Sequence, residues 1–301
     1  MRIASLLPSA TEIAYALGLG DDLVAVTFEC DEPARARQDH AVVVGGAGTS
    51  GMSPAQIDAH VRAALAAGAD LYTLDQELLA RTRPDLILTQ DLCRVCAVPS
   101  GQVQDALDHI GCQAGVLTLD PHTLDDVLGT ILAVGARTGR QPVAAALVAS
   151  LRSRLDAVAA GVAGRPRPRV AVLEWVDPPF AAGHWVPDLV AAAGGTPVAL
   201  PPGPRSEPIG WAEIAAADPE VIVVAPCGFH LDGAAEQARG ILPQLPDPLD
   251  RPEPPVWAID ADGLVVRPGP RLVTGVEALA RALHPGALPG PPDPAAIVRI
   301  R

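Results

Sequence analysis

The cysteines, histidines and aromatic rings are the residues of this chain best equipped for chemistry, and they are unevenly placed. Cys30 lies in Thr-Phe-Glu-Cys-Asp-Glu-Pro, Cys93 and Cys96 form a Cys-x-x-Cys pair, and Cys227 sits in Pro-Cys-Gly-Phe-His. Each of these follows a short run of β-branched residues. Cys112, in His-Ile-Gly-Cys-Gln, reads as a small buried residue at a helix end. A Cys-x-x-Cys pair serves as a redox couple, as half of a thiolate metal site, or as inert packing. Third and fourth ligands drawn from Cys30, Cys227 or His184 would complete a tetrahedral site, because thiolate and imidazole suit zinc or an iron–sulfur centre. All three readings stay open on the sequence.

The rings show the same bias. The chain has only four Trp, three Phe and two Tyr. Phe28, Trp175, Phe180, Trp185, Trp211 and Phe229 fall just beyond expected strands or in the loops that follow. Ligands of open α/β sheets bind outside the carboxyl ends of the strands. A chain that builds its core from Ala, Val and Leu while keeping its rings for those loops is suited to stacking them on a flat ligand. The plainer alternative is that the rings plug a seam between two lobes. The densest stretch is residues 173–189, LEWVDPPFAAGHWVPDL, which presents Glu174, Asp177, His184 and two Trp around a Pro-Pro pair that stiffens the loop. Arg267 and Arg271 bracket Pro-Gly-Pro at the start of the last expected helix, where an anionic group would be welcome; a tight turn paired to a nearby acid is the alternative. His40, His60, His109, His122 and His284 lack such a setting and read as surface or capping residues.

These residues need elements to carry them. At 301 residues, with 49% hydrophobic and 19% charged side chains, the chain can bury two cores of ordinary domain size. Short β-branched runs alternate with Ala- and Leu-rich stretches, which predicts βα units around parallel sheets. Strands are expected at 2–6, 23–27, 70–74, 86–89 and 116–119, and again at 170–175, 197–200, 221–225 and 256–259. Ser9 and Glu12 have the spacing of a capping box for the first helix. Helical periodicity runs from Leu124 to Ala160, a length of about 55 Å at 1.5 Å per residue, with Pro142 expected to kink or divide it. A last helix is expected over 271–283, with a loosely held tail from Pro285. The expected organisation is an N-terminal α/β lobe over 1–121, a bridging helix over 122–164 and a C-terminal α/β lobe over 165–301.

Composition excludes several classes. The net charge is −13, which disfavours nucleic acid and anionic lipid as partners. Every basic residue is Arg, so no Schiff-base or P-loop lysine exists. Gly45–Gly51 is glycine-rich but lacks dinucleotide or phosphate-loop spacing and reads as a flexible loop. No apolar run is long enough to span a bilayer, so membrane insertion is not expected. No leader pattern opens the chain, which predicts a cytoplasmic protein starting at Met1; the competing reading is a trimmed, mature form of an exported protein.

The segments SLLPSATEI (5–13), LILTQDLCRVCAV, LEWVDPPFAAGHWVP, VVAPCGF and RPGPRLVTG (267–275) together resemble the cobalamin-binding, periplasmic-binding-protein-like family of the helical-backbone class, relatives of iron-siderophore and haem binders. The resemblance runs through nearly the whole chain. It implies two Rossmann-like α/β lobes bridged by a long helix, with ligand between them. One departure is that Phe28 precedes Glu29 where that branch often carries His. The resemblance implies non-enzymatic binding of a corrinoid or related metal chelate, with Phe28, Glu29, Glu174, Trp175, Phe180, Trp185, Phe229, Arg267 and Arg271 as candidate ligand contacts. Cys30, Cys93, Cys96, His184 and Cys227 are the candidate zinc or iron ligands. The alternative is a cytoplasmic metal- or thiol-dependent enzyme on the same scaffold. A third reading is a docking subunit for an ABC permease.

Overall fold

The computed structural model describes all residues except 47, 93–99, 111–112 and 246–251, and gives no side chains for 108–110. The chain forms two compact units. One comprises Met1–Pro121 and Leu128–Val148; the other comprises His122–Val127 and Ala149–Arg301.

The first unit holds a six-stranded sheet of β1 (Ile3–Ser5), β2 (Leu23–Thr27), β3 (Ala41–Gly45), β4 (Thr73–Leu74), β5 (Leu86–Thr89) and β6 (Gly115–Thr118), in the order β4-β3-β2-β1-β5-β6. All neighbours are parallel except β3 and β4. Every residue of β5 is buried, as expected of a central parallel strand covered on both faces. Its helices are α1 (Pro8–Ala16), α2 (Ala36–Asp39), α3 (Pro54–Ala66), α4 (Gln76–Thr82) and α5 (Ser100–Ile110). The expected capping box of Ser9 and Glu12 does not form. Pro8 fits the first helical turn, so the helix starts there, with Leu7 as the extended cap residue and Ser9 buried inside the helix. A true capping box instead joins Ser53 and Gln56 at the start of α3.

The long helical pattern is two helices, α6 (Leu124–Thr138) and α7 (Gln141–Val162). The break is at Gly139, whose φ of +72° ends α6, while Pro142 is accommodated in the first turn of α7. Gly135 lets the two helices approach: a Cβ there would collide with that of Ala144.

The second unit holds β7 (Arg169–Val176), β8 (Pro179–Ala181), β9 (Thr196–Val198), β10 (Glu207–Pro208), β11 (Val221–Val224), β12 (Val256–Ile259) and β13 (Ile297–Arg299). The order is β10-β8-β7-β11-β12-β13, with β9 also on β7. β7 is long enough to serve two partners on one side: residues 169–171 pair with β9, and 173–176 with β8. Its helices are α8 (Val186–Ala192), α9 (Trp211–Ala216), α10 (Leu231–Ile241), α11 (Ala261–Leu264) and α12 (Leu272–Leu283). The tail expected to be loose ends as β13, antiparallel to β12, with Ile297 buried. His284, expected as a surface or capping residue, is the C-cap of α12; it is 5% exposed, and its Nε2 lies 3.1 Å from the Gly194 carbonyl. Among the described residues no helix is long and apolar enough to cross a membrane.

Candidate functional site

Among the sequence-selected residues of the second unit, Glu174, Trp175, Phe180, Cys227 and Phe229 lie at or beside the carboxyl ends of β7 and β11. β7 turns at Asp177 and Pro178 into β8, setting Trp175 opposite Phe180. The Trp175 indole N–H donates to the Asp177 carbonyl at 3.2 Å. The β7–β11 ladder continues past the last residue of β11: Ala225 N–H donates to Leu173 at 2.8 Å and Cys227 N–H to Glu174 at 3.0 Å. This carries Cys227 to an exposed turn and brings the Phe229 ring to the Trp175 ring, with centroids 5.9 Å apart at 52°. Both rings are half-buried. Gly228 has a φ of +83°, which favours glycine, and a Cβ on Gly233 would come within 2.7 Å of the Phe229 ring.

Two aspartates that the sequence reading did not single out fix this turn. Asp262 accepts the Gly228 N–H at 2.9 Å through Oδ1 and the Arg267 guanidinium at 3.1 Å through Oδ2, while its own N–H donates to the Phe229 carbonyl. Arg267 therefore has the nearby acid of the tight-turn alternative. Asp260 accepts from Gly263 N–H at the start of α11 and lies 2.9 Å from Nδ1 of His230, a 58%-exposed ring that is oriented by the carboxylate. The only sequence signal was an Asp-x-Asp step after β12. Arg271 is half-buried and precedes α12.

Trp185, expected among the stacking rings, is 5% exposed, and its indole N–H donates to the Val265 carbonyl at 2.8 Å. An indole so covered offers no open face to a ligand; it pins α8 to the segment after α11. His184 stacks on it at 5.6 Å and meets the His122 ring at 5.9 Å. Nε2 of His184 is buried without a hydrogen-bond partner. Burial, then His122 and Arg205, hold its pKa below the ordinary imidazole value. His122, expected as a surface or capping residue, is exposed, and its ring also meets that of His184.

In the first unit, Phe28 and Glu29 follow β2, both half-buried. The Phe28 ring faces Tyr72 at 6.2 Å, and Gly46 abuts it, so part of the glycine-rich loop backs this ring. Cys30 is wholly buried, with Sγ 3.0 Å from the Thr11 hydroxyl and 3.4 Å from the Thr27 amide. The thiol is thus enclosed by Thr11 and Thr27 of its own unit. Cys93, Cys96 and Cys112 lie outside the described residues. Among the described residues no group of three or more His, Cys, Asp or Glu is placed to hold a metal ion.

Comparison with known proteins adds the following. The family profile described as "periplasmic binding protein" matches residues 3–241. A vitamin B12-binding protein of Vibrio cholerae is 26% identical over 281 residues, 92% of this chain and 86% of the relative. An ABC transporter substrate-binding lipoprotein of Bacillus subtilis, itself uncharacterised, is 25% identical over 94% of this chain and 80% of its own. A periplasmic haem-binding protein of Pseudomonas aeruginosa superposes with a TM-score of 0.72 at 23% identity, covering 99% of this chain and 97% of the other. The V. cholerae periplasmic vitamin B12-binding protein gives 0.64 at 23% identity, covering 94% and 96%. These structural likenesses concern the fold.

Proposed function

The chain belongs to the periplasmic binding protein family, and from that premise we propose that it is a non-enzymatic receptor for a corrinoid or a related flat metal-chelate ligand. The observation that carries this reading is the Trp175–Phe229 ring pair, set on two neighbouring strand ends and held by the Asp262 network. Aromatic contacts contribute about 0.5–1.5 kcal/mol each beyond their buried area, which suits a large planar ligand with few charges. Glu174, Phe180 and Arg271 on the same unit are the further contacts proposed.

The V. cholerae relative is named as a vitamin B12-binding protein and the P. aeruginosa structure as a haem-binding protein, and the choice between such ligands is the open variable of this reading. Export and delivery to an ABC-type permease belong to it, because the relatives are named as periplasmic or lipoprotein components. The cytoplasmic expectation finds no support in those relatives. A resident zinc or iron finds no ligand cluster among the described residues. Calorimetric titration with cyanocobalamin, cobinamide and haemin tests the reading: saturable binding of one of them is expected, and absence of heat and of spectral change with all three would overturn it.

A further inference from the structure

His122 and His184 are tied to one residue, Gly203. Its carbonyl lies 3.3 Å from Nδ1 of His122, and because a carbonyl only accepts, that nitrogen carries the proton. Its amide donates to the His184 carbonyl at 3.0 Å, and the His184 amide donates to the next carbonyl, Pro204, at 2.6 Å. His184 holds a left-handed φ of +51° to make both contacts. Gly183 reinforces the latch: its amide donates to the Ser206 hydroxyl at 3.0 Å, and a Cβ there would collide with the 204–206 backbone. Two imidazoles and a short loop thus clasp the segment 122–127, through which the chain first enters the second unit.

We propose that this clasp is acid-sensitive: it holds residues 122–127 and 203–206 in place while the His184 imidazole is neutral, and loosens when that ring gains a proton. The geometry leaves a proton on Nε2 of His184 without a partner in the protein. Its Nε2 is buried without a partner, one ring face is covered by Trp185, and its other ring neighbour is a second imidazole. The charged groups acting on His184, which are His122 and Arg205, do not offset this, while Asp126 acts on His122. Arg205, on the clasped loop, is itself cationic. On the His122 segment, Asp126 accepts the backbone amides of His122 and Thr123, and Asp125 is paired with Arg152. On α8, Asp188 accepts the Leu124 amide.

The direction follows from linkage. The folded-state pKa of His184 lies below its ordinary value, by burial first and then by His122 and Arg205. The unfolded or unclasped state therefore binds the proton more readily. The clasp has its full strength above about pH 6.5 and weakens as pH falls toward the folded-state value.

Hydrogen–deuterium exchange of the intact chain between about pH 8 and pH 5, corrected for intrinsic rates, tests this. Protection of segments 122–127 and 203–206 is expected to fall at least about tenfold with acidification, while β11 in the same unit keeps its protection. His122→Gln, and His184→Asn, which suits the left-handed backbone, are expected to flatten the pH dependence. Unchanged protection of the two segments, equal loss in β11, or an undiminished pH dependence in both variants would each overturn the proposal. None of these outcomes turns on which ligand the chain binds.

Discussion

Arg267 donates to Asp262 across 3.1 Å with both side chains nearly out of solvent, at 11% and 10% exposure. Asp262 in turn holds the Gly228 amide, so one buried ion pair sets the turn that carries Phe229. Removing one member of such a pair takes a charged hydrogen-bond partner from the other, and hydrogen bonds to charged groups contribute about 1.5–3 kcal/mol. We expect Arg267→Ala to lower the chemical-denaturation free energy by that order, and Asp262→Asn, which keeps one acceptor, to cost less than Asp262→Ala. Equal stability of Arg267→Ala and wild type would show that the pair is not a structural tie.

Gly228 adopts a conformation that costs other L-residues about 1–2 kcal/mol. Gly228→Ala is expected to destabilise by that amount and to weaken ligand binding through the neighbouring Phe229. A melting temperature and affinity both equal to wild type would contradict the view that this turn is conformationally set.

Trp185 separates packing from recognition. Trp185→Phe keeps a ring but leaves the buried Val265 carbonyl without its donor, a loss of about 1–3 kcal/mol in stability. Ligand affinity measured well below the melting temperature should remain within about twofold of wild type, since the indole exposes no face to a ligand. A large affinity loss with unchanged stability would return Trp185 to the ligand contacts.

The last strand supplies another separation. Truncation after Pro294 removes β13, withdraws the buried Ile297 side chain and leaves β12 as an open edge. We expect a stability loss of at least about 1.5–3 kcal/mol from Ile297 alone, together with a greater tendency to self-associate. A melting curve superimposable on that of the full chain would restore the expectation of a loose tail.

The central strands were legible because parallel strands buried on both faces must be continuous apolar runs, as in Leu86–Thr89 and Val221–Val224. The division of the long helical stretch was legible from Pro142, although Gly139 makes the break. β8 was hidden because two prolines masked a hairpin that pairs Trp175 with Phe180. β13 was hidden because its partner lies about forty residues upstream, beyond any local pattern. Within the site, ring enrichment at strand ends pointed to Trp175 and Phe229. It also pointed to Trp185, whose burial depends on Val265, eighty residues away in sequence. His230, Asp260 and Asp262 carried little local signal, because an aspartate gains meaning only from the amide or imidazole that the fold brings to it.

The most direct measurement of the account is a spectroscopic titration of wild type and the Trp175→Ala/Phe229→Ala double variant with aquocobalamin, cobinamide and haemin. We expect saturable binding of at least one ligand by wild type, and an affinity weaker by roughly tenfold or more in the double variant, from two lost aromatic contacts and their buried area. Identical titration curves for the two proteins, or no saturable change for wild type with any of the three, would contradict it.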